Sequence, residues 1–279
     1  CSSDLYAWRA PLLRSAAGFE LSARESFLLF NNILLVVAAA AVFAGTMAPL
    51  ISDALGLGTL SVGKQYFDPV FLLPTLPLIA LASVGIFSRW KRGQLAPHRG
   101  AILFTLALAL AITAALMLGV WGGAKLLTPV GFALGFWLIA ASFVDPVDRL
   151  RRGLRLTPAI LGMTIAHIGL GVFVVSVTAV ESYTRERDLA LAIGESGRVG
   201  DFDYRLDGLR SVEGPNYDAL RGTVTVLEAG KPVVTLHPEK RNYWVQGSVM
   251  TEADIHMQPA RDVFAALGED LGGGRWSVR

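Results

Sequence analysis

The chain has 279 residues, 53% of them hydrophobic and 17% charged, and a net charge of +2 at pH 7. A soluble domain carries about 25% charged residues, so this is the composition of a membrane protein, and the near-neutral balance gives a nucleic-acid role no support. The single cysteine, Cys1, excludes a disulfide framework, a CxxC pair and a cysteine metal site.

Residues 1–25 mix Arg9, Arg14 and Arg24 with Asp4, Glu20 and Glu25. A first apolar span follows at 26–50, interrupted by Asn31 and Asn32, which read as packing or access residues because amides in lipid bond to neighbouring helices. The loop at 51–66 is rich in Gly and Ser, with Asp53 and Lys64 its only charges. A second span at 67–88 carries Pro74 and Pro77, which imply a kink, and ends in RWKRG with Trp90 as an interfacial anchor. The third, at 101–121, is Ala- and Leu-rich. A turn around Lys125 leads to the fourth at 127–144, and DPVDRLRRGLR separates that from the fifth at 157–180.

Positive charge sets the orientation. Arg9, Arg14 and Arg24 precede the first span, Arg89, Lys91, Arg92 and Arg99 follow the second, and Arg149, Arg151, Arg152 and Arg155 follow the fourth. The alternate loops hold only Lys64 and Lys125, so the positive-inside rule places the N-terminus in the cytoplasm and everything after the fifth span outside. The opening CSSD could mark an acylated lipoprotein, but that would need an external N-terminus. A piece of a longer chain is the simpler expectation, and GGGRWSVR at the other end stops as a strand begins.

From residue 181 the chain is polar, with short alternating runs such as FDYRLDGL punctuated by Gly and Pro. Period-two alternation between turn signals predicts antiparallel strands. GTVTVLEAGKPVVTL reads as a hairpin turning at Ala229 and Gly230, and QPARDVFAALGEDL as a short helix ending near Gly268. The expected architecture is an α-helical bundle of about five transmembrane helices followed by an extracytoplasmic β-rich domain. Its expected divisions are 1–25 (a cytoplasmic segment), 26–180 (the spans) and 181–279 (the β-rich domain).

The fifth span holds one ionisable residue, His167. A histidine at that depth costs free energy without a partner, which makes it a candidate site residue. Gly162, Ala166, Gly169 and Gly171 surround it, and Gly171 lies one turn on, near the same helical face. A flat ligand such as a porphyrin, bound through the imidazole, could approach there. Close packing against another helix, with the histidine hydrogen-bonded across it, explains the same residues. If His167 ligates haem iron, a second axial ligand must come from the opposite face of the ring. Met163, on the same side of the same helix, cannot supply it. Met47 and Met117 on other helices are candidates, as is a histidine in a missing part of the chain. The other histidines, His98, His237 and His256, show no metal-ligand spacing, and His237 and His256 read as surface residues. Glu239, Lys240 and Arg241 read as a solvated charged rim. No phosphate-binding glycine loop or GxSxG is present, and no carboxylate is buried in a span, so neither a hydrolase nor a proton-coupled carrier is supported.

RESFLLFNNILLVVAAAAVFAGTMAPLI, LGLGTLSVGKQYFDPVF, AHIGLGV, GPNY, LHPEKR and VQGSVMTEADI occur in this order. In these motifs the chain resembles, from about Ala10 onward, the C-terminal half of the CcmF/NrfE/CcsA-type haem-handling family, the CcmF member of which is the large membrane subunit of the bacterial cytochrome c haem lyase. The resemblance implies a multi-pass protein of the bacterial inner membrane with its C-terminal domain in the periplasm. It implies that haem arrives from a haem chaperone and is attached to the CxxCH cysteines of apocytochrome c. A thiol-reducing presenter subunit would be a further partner. It also implies a stable haem b between two transmembrane histidines, with His167 matching the second and serving as an axial ligand of the haem iron. The family's tryptophan-rich loop, first transmembrane histidine, two external histidines and final span have no counterpart here. The segment alone is therefore expected to be inactive, and its catalytic residues are not assigned. Against the haem lyase stand two alternatives: a permease or haem conduit, and a non-catalytic assembly scaffold.

Overall fold

The computed structural model of the chain describes residues 8, 20–58, 60–88, 95–119, 125–245, 247, 249–258 and 261–279. Two compact units, Cys1–Tyr183 and Thr184–Arg279, divide it.

The first unit contains five helices long and apolar enough to cross a membrane. They are α1 (Arg24–Ala54), α2 (Lys64–Gly85), α3 (Arg99–Gly119, led by a 3-10 turn at Ala96–His98), α4 (Thr128–Ser142) and α6 (Pro158–Tyr183). The short charged helix α5 (Val144–Arg151) extends α4. Helices satisfy every interior backbone group internally, as lipid demands. Their outer faces are apolar: Leu29, Phe30, Val36 and Phe43 of α1 and Phe104 of α3 are exposed. Pro69, Pro74 and Pro77 all lie inside α2, which remains a single helix. Arg9, Arg14, Arg89, Trp90, Lys91 and Arg92, which entered the charge and anchor assignments, lie outside the described residues.

Helix α4 is the hub, packing against α2, α3 and α6, while α1 packs on α2. Its Phe132, Leu138 and Ala141 are buried. Toward α6 it presents Gly131, Gly135 and Ile139, four residues apart and therefore on one face. A Cβ at Gly135 would lie 2.7 Å from Val175 Cγ2 and 3.1 Å from the Gly171 carbonyl oxygen. One at Gly171 would lie 2.5 Å from Ile139 Cγ1. Small residues let the two backbones meet, which in lipid supplies most of the packing attraction. Hydroxyls add to it. Thr128 and Ser182 hydrogen-bond at 2.7 Å between α4 and α6, and Trp137 Nε1 of α4 donates to Thr105 Oγ1 of α3 at 3.3 Å. Tyr66 of α2 donates to the Ala41 carbonyl of α1 at 2.9 Å, its ring lying against Gly45.

Lys64 and Lys125 meet on one carboxylate. Glu181, in the last turn of α6, accepts from Lys64 Nζ at 2.7 Å and from Lys125 Nζ at 2.8 Å. The start of α2, the segment before α4 and the end of α6 are thereby joined at one end of the bundle.

The second unit is all-β and antiparallel. Its strands are β1 (Leu189–Ala192), β2 (Ser196–Val199), β3 (Phe202–Glu213), β4 (Tyr217–Glu228), β5 (Lys231–Leu236), β6 (Glu239–Tyr243), β7 (Val249–Glu252), β8 (Asp254–His256), β9 (Val263–Ala265), β10 (Leu267–Gly272) and β11 (Arg275–Val278). One sheet has the order β2-β3-β4-β6-β7, with β5 pairing the far half of β4; β1-β11-β10 form a second and β8-β9 a third. Leu191, Leu206, Val224, Val263, Leu267 and Val278 draw all three sheets into one core. The β4–β5 hairpin turns where the sequence pattern places it. Ala229 and Gly230 have φ of +50° and +77°, the two left-handed residues of a type I′ turn.

The expected helix around residues 258–271 is not formed. Residues 263–265 and 267–272 are β9 and β10, and Val263, Ala265 and Leu267 are buried with partly exposed residues between them. That is a period of two, and burial of alternate residues in the shared core overrides the helix propensity of the Ala and Leu side chains.

Replacing Gly135 by Val is expected to lower the stability of the full-length protein in detergent by about 1–3 kcal/mol, the usual cost of overpacking a close contact. Gly169→Ala, at a position where a Cβ meets open space, is the matched control and should leave thermal denaturation unchanged.

Candidate functional site

His167 stands on α6, half-buried, one turn before the glycine contact with α4. Its Nδ1 lies 2.8 Å from the carbonyl oxygen of Met163. A carbonyl can only accept, so Nδ1 donates to it, and in the neutral imidazole Nε2 is then the nitrogen that carries the lone pair. This is the tautomer and the restraint that a metal-binding imidazole uses: one nitrogen orients the ring and the other is available. Three residues earlier, the Thr164 hydroxyl is buried without a hydrogen-bond partner. Met163 also contacts α1, its Sδ accepting from Arg24 Nη2 at 3.6 Å.

The small residues around His167 divide into two groups. Gly171 is occupied by Ile139 and Gly135 of α4, so the packing explanation holds for it. Gly162 and Gly169 do face open space, but two residues along a helix turn the side chain by about 200°, so Gly169 faces away from the imidazole. The open approach expected beside His167 at Gly171 is therefore filled by α4. The ring shares its face with Met163 and Val174.

The thioether candidates for a second ligand do not reach it. Met47 is 23 residues beyond Arg24 on α1, about 34 Å along the axis, whereas Arg24 touches Met163. Met117 is buried on the face of α3 that also carries Thr105, Ala109 and Thr113, the face turned to α4. On α1, Asn31 is half-buried and Asn32 exposed. Among the described residues no group of three or more His, Cys, Asp or Glu could hold a metal ion.

In the second unit, two of the sequence motifs converge. Tyr217 of GPNY and Tyr243 are cross-strand partners on β4 and β6, with ring centroids 5.4 Å apart. The Arg241 guanidinium of LHPEKR lies 4.6 Å from the Tyr217 ring centroid. Glu239 of the same motif is buried, 5% exposed, and accepts from Arg241 Nε at 2.8 Å and from Arg221. The Lys240 side chain is 15% exposed and pairs with Glu269. The expected solvated rim is thus a largely enclosed ionic network. Sequence alone does not show this, because Arg221 lies 18 residues away from Glu239 and reaches it only through the β4–β6 register.

Burial alone would raise the Glu239 pKa, but the hydrogen bonds and charges of Arg241 and Arg221 outweigh it and hold the carboxyl below its ordinary value. Arg241 is held above its own, by Glu239 first and then by Tyr243. Beside the network runs an open groove of about 750 Å³, lined by Ser211, Glu213, Asp218, Lys240, Asn242 and Trp276 among others. His237 is exposed just beyond β5, its backbone N–H donating to Asp254 at 2.6 Å. His256 is half-buried on β8.

Residues 182–279 match the family described as CcmF C-terminal beta-sandwich. The cytochrome c-type biogenesis protein CcmF of Pseudomonas fluorescens is 41% identical over 97% of this chain and 42% of its own length. The chain belongs to the CcmF family. The Pseudomonas aeruginosa CcmF is 40% identical over 100% of the chain and 43% of its own length, so the chain spans less than half of the curated relatives it matches. A solved structure of cytochrome c heme lyase CcmF superposes with a TM-score of 0.68 at 18% identity, covering 93% of this chain and 42% of that one. The bundle of apolar helices followed by an antiparallel β-rich unit is therefore the CcmF fold, and the chain corresponds to the C-terminal half of that protein.

The Glu239 network has a pH signature. Its folded pKa lies below the ordinary 4.5, so the contribution is complete above that value and is lost as pH falls through the folded one. Glu239→Gln should cost about 1.5–3 kcal/mol at neutral pH. The gap to the wild type, followed by denaturant unfolding of the β-rich unit in the full-length protein, should narrow below pH 4.5.

Proposed function

We propose that this chain is the C-terminal section of a cytochrome c haem lyase subunit, a multi-pass protein of the bacterial inner membrane, with His167 providing one axial imidazole to a resident haem b. The observation that carries the reading is the free Nε2 lone pair of an imidazole oriented through Nδ1 inside a membrane helix, in a family whose relatives are named for cytochrome c biogenesis. The donor set fits haem iron: a neutral imidazole nitrogen, an apolar helix around it, and an unpaired buried hydroxyl one turn back. The second ligand is then supplied from outside the described residues. When bound, haem b supplies the electron that keeps an incoming haem iron in the ferrous form needed for thioether formation.

The residues of this chain position the ring. The α4–α6 glycine contact sets the height and rotation of α6, and the bond to Met163 fixes the ring plane. Arginines at the ends of α1, α3 and α5 favour the cytoplasmic side, while Lys64 and Lys125 lie at the other end on Glu181. That charge pattern supports a periplasmic β-rich unit. There the groove lined by Asp218, Lys240 and Asn242 would dock apocytochrome c or its thiol-reducing presenter, with haem delivered by a separate chaperone. Having one cysteine in the sequence, the chain leaves thiol chemistry to those partners.

The test uses the full-length parent protein purified in detergent, with and without His167→Ala. The reduced-minus-oxidised absorption spectrum of the wild type should show a low-spin b-type band that is lost in the variant. A band that persists unchanged removes His167 from the site, and no band in either protein favours a conduit or a scaffold.

A further inference from the structure

We propose that the groove in the β-rich unit takes a Lys- or Arg-bearing extended segment of a partner polypeptide, with the cationic heads on its carboxylates and the aliphatic stems on its apolar lining. This rests on the docking reading above and adds to it the chemistry of the segment that is recognised.

The groove lies where the inner face of the large sheet runs on past the shared core. Alternate residues of a strand share a face, so on β4 the row that buries Val226 and Val224 continues through Gly222 and Leu220 to Asp218. Leu220 still packs against the core, whereas Asp218 is exposed. The antiparallel register places Glu213 of β3 opposite Asp218, with Asn242 of β6 on its other side and Val249 of β7 beyond. Glu269 and Asp270 of β10 and Trp276 of β11, from the three-stranded sheet, complete the lining. From β3 to β7 the four strands span about 14 Å, the length of about four extended residues, and the space enclosed is about 750 Å³.

Four carboxylates thus line the groove, and among the described residues the cation lining it is Lys240. Lys240 is already held, by Glu269 and by the Gly268 carbonyl at 3.4 Å. Glu213 and Asp218 are like charges directly opposite each other in an antiparallel pair, which disfavours the sheet unless a cation lies beside them. In a chain whose net charge is +2, this is a local excess of negative charge. The carboxylates do not converge on one point: among the described residues no group of three or more His, Cys, Asp or Glu could hold a metal ion. Separate cationic groups carried on one chain answer that spacing. Leu220, Val249 and Trp276 lie among the carboxylates, and a Lys or Arg side chain is itself an apolar stem ending in a charge. A guanidinium over the indole adds a further attraction. Asn242, exposed between the two acidic pairs, offers a donor and an acceptor to a peptide group. The same lining rejects an acidic segment, which would bring like charges together.

The experiment uses the full-length parent protein in a non-ionic detergent and two fluorescein-labelled octapeptides, one alternating Lys and Ala, the other Glu and Ala. By fluorescence anisotropy the Lys peptide should bind and the Glu peptide should not, with the affinity falling as salt is raised. Glu213→Gln and Asp270→Asn should each weaken binding of the Lys peptide about threefold, and together about tenfold, as exposed ion pairs do. Glu213→Lys combined with Asp270→Lys should exchange the preference and bind the Glu peptide, which an unfolded unit would not do. Failure of the wild type to bind the Lys peptide, equal binding of both peptides, or an unchanged affinity in the Gln and Asn double variant overturns the inference. Ser211→Trp, which fills the groove without altering its charge, tests the docking reading separately through the yield of covalent cytochrome c in cells. If that yield falls while the charge variants bind the Lys peptide as the wild type does, the groove docks its partner by other chemistry and only the cationic inference falls. If the yield is unchanged by Ser211→Trp, the docking reading is overturned and the inference with it.

Discussion

The close approach of α4 and α6 is the constraint on which the helical unit depends. In lipid there is no hydrophobic gain from bringing two apolar helices together, so contact area and hydrogen bonds must supply the attraction. Gly131, Gly135 and Gly171 remove the side chains that would hold the backbones apart, and Val175, Thr178 and Ile139 fill the space. This places α6 at a fixed rotation on the most buried helix of the bundle. His167 lies at the edge of that contact, with its ring anchored to Met163 and not to α4. The packing glycines and His167 thus use adjoining faces of one helix, and close packing accounts for the glycines at the α4 contact but not for the histidine.

Charge is confined to the ends of the same bundle. Glu181 collects Lys64 and Lys125, which come from two different loops, and all three side chains are half or more exposed. Exposed pairs contribute little stability individually. Their consequence is geometrical: two chain segments and the end of α6 are held in register where the span leaves the membrane. At the opposite end of α6, Arg24 reaches Met163. A helix tied at both ends and packed along one side has little freedom to rotate, and that is what a ligating imidazole requires of its support.

The helices, their approximate limits and the turn at Ala229 and Gly230 could all be read from the chain, because each rests on a local pattern: an apolar run of spanning length, or two residues suited to positive φ. The site was legible only in part. His167 stood out as the single ionisable side chain in the fifth span, and the haem proposed for it came from the order of motifs around it. Its hydrogen bond to Met163 and the link to Arg24, 139 residues away, depend on tertiary packing that periodicity does not encode. For the same reason the run from Val263 to Leu267 suggests a helix by composition. The decision between helix and strand was made by a core assembled from Leu191, Leu206 and Val278, far off in sequence.

Glu239 illustrates how such long-range pairing turns an ordinary surface motif into an internal one. In LHPEKR three consecutive charges suggest solvent, yet successive residues of a strand face opposite ways. Glu239 and Arg241 therefore share one face, and the register of β4 against β6 brings Arg221 opposite Glu239 and Tyr217 opposite Tyr243. Lys240, on the other face, pairs with Glu269 of β10 and so links the large sheet to the three-stranded one. A buried carboxylate held by two guanidiniums is a poor source of net stability but a strong constraint on register, since a one-residue slip would leave three charges without partners. The edge-on pair of Tyr217 and Tyr243 on one face of the sheet, and the groove beside Lys240 on the other, are consequently presented at a fixed angle. If the proposed partner is a flexible polypeptide, such a rigid surface leaves the ordering cost to the incoming chain alone.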